Sequence, residues 1–188
     1  MKKVIFWLGL VLALTACSRV QYDQVITYHA AKGSDVAKVK VVEWGDFQCP
    51  ACVIAFQQLA PVWQKYGDKI QIQFRHFPLA SIHPYASTAA AASECAADQG
   101  KFWEYHDKLY ANSTNLKKKD LISYAEQMGL NTTNFTTCLD SQVKMKVVRD
   151  DIAEGRKLGI DSTPTFYVDG QKVADWAQLD SILADKTK

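Results

Sequence analysis

Val39-Lys40-Val41-Val42-Glu43-Trp44-Gly45-Asp46-Phe47-Gln48-Cys49-Pro50-Ala51-Cys52 changes its residue preferences twice within fourteen positions. Val39 to Trp44 is rich in β-branched residues, as a buried strand is. Gly45 to Gln48 has the composition of a turn. Cys49 then opens a helical pattern that runs to about Tyr66 and closes at Gly67-Asp68. Pro50 suits the first helical position, where its fixed φ helps and its missing N–H costs nothing. Pro61, deep in the same pattern, is expected to kink the helix. Ile70 to Phe77 alternates apolar and polar residues as a second strand does. Strand, helix and strand in this order predict a parallel pair with a right-handed crossover.

Beyond this unit, residues 84–159 read as helix throughout. Ala86 to Ala97 is alanine-rich, Phe102 to Ala111 carries aromatics at helical spacing, and Leu121, Tyr124, Ala125 and Met128 form an apolar stripe. Lys117-Lys118-Lys119 is a solvated helix start. Phe135 to Leu158 reads as one long helix ended by Gly159. Strand character returns only at Thr165-Phe166-Tyr167-Val168, followed by the hairpin turn Asp169-Gly170, the return strand Gln171-Lys172-Val173 and a closing helix over Trp176 to Asp185. The chain is therefore α/β: residues 36–83 and 160–188 form one small mixed sheet with its helices, and 84–159 form a helical insertion before the last hairpin.

The N-terminal end has a different character. Met1-Lys2-Lys3 followed by the apolar run Val4 to Leu14 has the build of a secretory signal, too short for a permanent bilayer span. It ends in Leu14-Thr15-Ala16-Cys17, which resembles the bacterial lipobox and implies cleavage after residue 16 and lipidation of Cys17. Several acyl chains on one residue exceed the two signals that stable anchoring needs. Residues 17–35 are polar and mixed and read as a membrane tether, with a short edge strand expected at Val25–Tyr28. The formal net charge of +2 is accounted for by Lys2 and Lys3, so the exported chain is near neutral. Neither nucleic acid nor an acidic surface is an expected partner. With Cys17 set aside, the five cysteines leave an even number in an exported protein, and paired disulfides are expected.

Cys49 and Cys52 carry the chemistry. A CxxC pair fits a redox disulfide, half of a zinc site or an inert structural bridge. On a helix the two sulfurs share one face within bonding reach. Cys49 stands at the helix start, where free N–H groups and the positive end of the dipole stabilise a thiolate. Cys52, one turn inward, is the natural resolving thiol. Zinc would need two more ligands, and the chain has no second CxxC or closely spaced His pair; His76 and His83 only flank one loop. The redox reading is favoured, with no metal and no cofactor beyond the cysteine pair itself.

The segment from Val42 to Cys52 resembles the DsbA-like thioredoxin-fold disulfide oxidoreductases. So do Phe74-Arg75-His76-Phe77-Pro78-Leu79, Gln99-Gly100-Lys101-Phe102-Trp103 and Ser162-Thr163-Pro164-Thr165, in the same order along the chain. The resemblance runs from about Gly33 to the end and implies a thioredoxin fold with an inserted helical domain. It implies Cys49 as nucleophile, Cys52 as resolving cysteine, Pro164 as a cis-proline facing the pair, and Thr163 beside it as a contact for an extended substrate segment. Glu43 matches a buried acid that relays the resolving thiol's proton; a strand-end carboxylate reaching water is the alternative. Cys95 and Cys138 lie where family members have cysteines, implying a structural disulfide, against two unrelated buried thiols. One departure is Ala51, where strongly oxidising members often carry His. The function implied is a disulfide donor to newly exported proteins. A reductase or isomerase on the same site, or a non-catalytic metal- or peptide-binding lipoprotein, are the alternatives. Implied partners are extended segments of cysteine-containing exported proteins, an unidentified redox partner and, through the Cys17 lipid, a membrane of the cell envelope; a monomer is expected.

If Leu14-Thr15-Ala16-Cys17 is a lipobox, Cys17→Ala should move the protein from the membrane to the soluble fraction of fractionated cells. A mutant that stays in the membrane fraction would contradict the lipoprotein reading.

Overall fold

The computed structural model describes residues 31–188. The elements in chain order are β1 (Lys32–Gly33), β2 (Val39–Gly45), α1 (Pro50–Tyr66), β3 (Ile70–His76), α2 (Ala86–Ala97), α3 (Phe102–Ala111), α4 (Lys118–Gln127), α5 (Thr132–Ser141), α6 (Met145–Lys157), β4 (Thr165–Val168), β5 (Gln171–Lys172) and α7 (Leu179–Lys186), with a 3-10 turn at Trp176–Gln178 before α7. They form a five-stranded mixed sheet in the order β1-β3-β2-β4-β5. The central pair β2 and β3 is parallel, with Val41 opposite Ile72 and Glu43 opposite Phe74. β4 runs antiparallel to β2, and the hairpin to β5 turns at Asp169-Gly170. This is the α/β, thioredoxin-like architecture expected from the sequence.

β2 decides how the layers meet. A central strand is covered on both faces, so its side chains are buried almost without interruption. The period of two divides them. Val39 and Val41 join Ile70, Ile72, Phe166 and Val168 in a core closed by Ala55 and Leu59 of α1 and Leu179 and Leu183 of α7. Val42 and Trp44 face the other way, against Phe77, Ile160 and Tyr167. Glu43, by the same alternation, points to the side that α1 covers. The helical segment supplies a third core, where Phe47 and Phe74 meet Phe102, Tyr105, Leu109 and Tyr110 of α3, Leu121 of α4 and Phe135 of α5.

The far side of β3 is tied to α6 by charge. The Arg75 guanidinium donates to Asp151 at 2.9 Å, the other Asp151 oxygen accepts the His76 backbone N–H at 2.8 Å, and both side chains are buried. A buried pair of this kind pins geometry more than it stabilises, because desolvation offsets much of its attraction. Within the helical segment, Cys95 of α2 and Cys138 of α5 form a disulfide, with Cα atoms 5.9 Å apart and a sequence separation of 43. A loop of that length is worth about 4 kcal/mol in the chain-entropy account.

One expectation needs revision. Phe135 to Leu158 is two helices, because the backbone reverses at Gln142, a left-handed residue with φ of 55°. The Ser141 hydroxyl bonds the Cys138 carbonyl at 2.7 Å and takes part in ending α5. The edge strand lies at Lys32–Gly33, paired antiparallel with β3, within the stretch 17–35 read as tether. The strand expected at Val25–Tyr28, like Cys17 and the signal segment, lies outside the described residues.

Candidate active site

The turn from β2 into α1 is fixed by one aspartate. Asp46 is buried, and its two carboxylate oxygens accept the Gln48 N–H at 2.7 Å, the Leu79 N–H at 2.8 Å and a His83 Nδ1 contact at 2.7 Å. Its own carbonyl accepts the Cys49 N–H at 3.1 Å. Gln48 Oε1 takes the Tyr85 N–H at 2.8 Å, tying the turn to the start of α2. The sequence singled out neither Asp46 nor its partner His83, because their pairing spans two turns that only the fold brings together.

Held this way, Cys49 is the N-cap of α1, with extended backbone (φ −74°, ψ 122°) and Pro50 next to it. Its sulfur is within 3.5 Å of the Thr163 carbonyl oxygen, and Thr163–Pro164 is a cis peptide bond. The Cys49 thiol is pulled down to about 5 by the hydrogen bond from the Cys52 thiol, against some desolvation, with help from the Thr163 side chain and the backbone N–H groups of Cys52 and Ala51. Those are the unsatisfied donors of a helix start. Cys52 is fully buried, and burial, then its bond to Cys49, push its thiol far up. The two thiols are thus split, Cys49 pulled toward its anion and Cys52, the deeper of the two, toward its protonated form. The fold also brings Thr163, from the segment that leads into β4, beside a cysteine more than a hundred positions away.

Glu43 sits one layer further in. It is only 6 % exposed, and desolvation, then the charge of Asp107, raise its carboxyl to about 8. It lines a cavity of about 290 Å³ between α1, α3 and the sheet, whose walls include Phe56, Leu59, Trp63 and Trp103 and whose polar groups include His106, Asp107 and Lys32. His106 is buried, and its pKa is lowered chiefly by desolvation, against the pull of Asp107. Its Nδ1 lies 2.8 Å from Asp107. The sequence marked Trp103 within a family motif but neither His106 nor Asp107. Among the described residues no cluster of groups that could hold a metal ion occurs.

The family model described as thioredoxin matches residues 26–185. The chain belongs to the thioredoxin family. Its solved neighbours share this fold. BdbD from Bacillus subtilis is 27% identical with a TM-score of 0.73, over 84% of this chain and 90% of that one. MdbA from Corynebacterium diphtheriae, a thiol-disulfide oxidoreductase, is 19% identical with a TM-score of 0.69, over 85% and 89%, and shares the fold. A second family model, prokaryotic membrane lipoprotein lipid attachment site, matches residues 1–18, which include Cys17. Among curated proteins, Na(+)/H(+) antiporter NhaA 1 of Salinispora arenicola is 38% identical over 141 residues, covering 75% of this chain. The match spans 22% of that much longer protein. Among the described residues no helix is long and apolar enough to cross a membrane.

The raised carboxyl of Glu43 has a sign in stability. The unfolded chain gives up this proton near pH 4.5 and the folded chain near 8. The contribution is therefore fully present below pH 4.5 and is lost as pH rises toward 8, by an amount on the order of 5 kcal/mol. Glu43→Gln should remove that slope. Urea unfolding of both proteins between pH 5 and 8 should give curves that diverge with pH, the variant becoming the more stable. Parallel curves would contradict a desolvated Glu43.

Proposed function

We propose that this chain is an exported, lipid-anchored oxidoreductase that donates its Cys49–Cys52 disulfide to newly exported proteins. One observation carries the reading: Cys49, at the start of α1 and beside the Thr163 carbonyl, has its thiol held near 5 while Cys52 behind it is kept protonated. A stabilised thiolate lowers the energy of the reduced pair, so the disulfide is the less stable form and tends to be given away. This supports a donor over a reductase even though Ala51 stands in the motif.

The reaction follows from the geometry. A client thiolate attacks the Cys49 sulfur; a client–Cys49 disulfide forms, the Cys49–Cys52 bond breaks, and the electron pair goes to Cys52, which takes up a proton. A second client thiolate then attacks the client sulfur and releases Cys49 as the stable thiolate. Two electrons pass from client to pair, and an envelope redox partner must remove them. Thr163 and Pro164 line the approach to Cys49 and are read as the contact for an extended client segment. Glu43 supplies the proton from behind. Cys95–Cys138 is read as structural, since it ties α2 to α5 within the helical segment. Residues 1–18 support a lipid on Cys17 and a place at an envelope membrane, with the chain acting as a monomer.

Cys52→Ala should trap covalent client complexes that a reducing agent releases, and Cys49→Ala few or none. Pro164→Thr should accumulate them as well. Non-reducing gels of acid-quenched cells read the outcome. Equal trapping by both cysteine variants would overturn the assignment of Cys49 as the attacked sulfur.

A further inference from the structure

Tyr110 on α3 brings a hydroxyl into the middle of the site. The residue is 1 % exposed. Its ring is clamped, stacked on Phe56 at 5.2 Å, tilted on Phe47 at 5.0 Å and set edge-on to His106 at 4.9 Å. The oxygen reaches over the end of β2 into space left by a glycine: a Cβ on Gly45 would stand 2.7 Å from it. No nitrogen or oxygen atom partners the buried hydroxyl in this dithiol state; the Cys52 thiol, packed in the same core, is the group it reaches. A polar group in so confined a place is costly unless a partner arises in another state.

The groups around it narrow the choice. Beyond burial, Cys52 from α1 acts on the hydroxyl most, then Glu43 from β2 and Asp46 from the turn, all holding its pKa well up. Asp46 is already occupied by Gln48, Leu79 and His83. The hydroxyl therefore stays protonated, an O–H donor with Cys52 and Glu43 before it.

We propose that Tyr110 donates a hydrogen bond to the Cys52 sulfur as the Cys49–Cys52 disulfide opens. This rests on the exchange reaction proposed above. When a client thiolate forms its bond to Cys49, the electron pair of the breaking bond lands on Cys52, which has no exposure to water. The Tyr110 O–H points its proton at that charge and lowers the barrier to cleavage. The proton that finally neutralises Cys52 comes from the Glu43 carboxyl, and Glu43 regains one from the cavity it lines. Tyr110 ends the cycle with its own proton.

Tyr110→Phe keeps the ring and removes only the oxygen. The full-length protein, oxidised, is mixed with dithiothreitol, and reduction of its disulfide is followed by tryptophan fluorescence. A charge-assisted bond predicts a rate about tenfold lower in the variant. In a Cys52→Ala background the same substitution should leave alkylation of Cys49 by iodoacetamide unchanged, because the hydroxyl acts only through Cys52. A fall of at least about threefold in reduction with unchanged alkylation supports the assignment. A smaller fall, or equal slowing of both reactions, overturns it, the second marking a purely structural role. If the unmodified disulfide fails to oxidise a dithiol peptide at all, the exchange reading itself has failed.

Discussion

An anion at the first turn of α1 organises this molecule. The Cys49 sulfur can carry charge because the Ala51 and Cys52 N–H groups have no carbonyl to bond and the Cys52 thiol can donate to it. That arrangement requires the helix to begin at residue 50, with Cys49 extended ahead of it. The start is set by Pro50, which suits a first turn, and by Asp46, whose carboxylate and carbonyl hold the turn from inside. Were α1 to begin one residue earlier, Cys49 would enter the helix and lose the unpaired donors. The sheet matters for the same reason: β2 delivers the turn, and β4 brings Thr163 and Pro164 to the sulfur.

Behind the anion the structure accepts unfavourable burial. Cys52, Glu43 and Tyr110 are polar groups removed from water, each shifted toward its neutral form by desolvation. Three apolar cores and the Cys95–Cys138 crosslink hold them there. Burial keeps all three neutral, and Glu43 lines a cavity between α1, α3 and the sheet.

Much of the fold was legible in the sequence because it rests on short-range signals. The β-branched run before Gly45, Pro50 after Cys49, and Asp169-Gly170 between two short strands each have a local physical meaning, and the elements stand where those signals put them. The break at Gln142 was not legible, since a left-handed glutamine carries no glycine to announce it. Alternation along β2 gives the face of Glu43 but not its depth, which depends on α1 and α3 packing over it. Asp46 with His83, and Tyr110 over Gly45, are pairings between distant segments, so only the assembled chain reveals them.

The central claim is that a stabilised Cys49 thiolate makes the pair a disulfide donor. Its most direct test is the equilibrium reduction potential of Cys49–Cys52 at pH 7, measured against glutathione buffers. Thiols held near 7 and near 3.5 in this fold accompany potentials of about −270 and −120 mV. A thiol near 5 should place this pair between them, more oxidising than about −220 mV. A value at or below about −270 mV would contradict the account, for the pair would then be an acceptor rather than a source of disulfides.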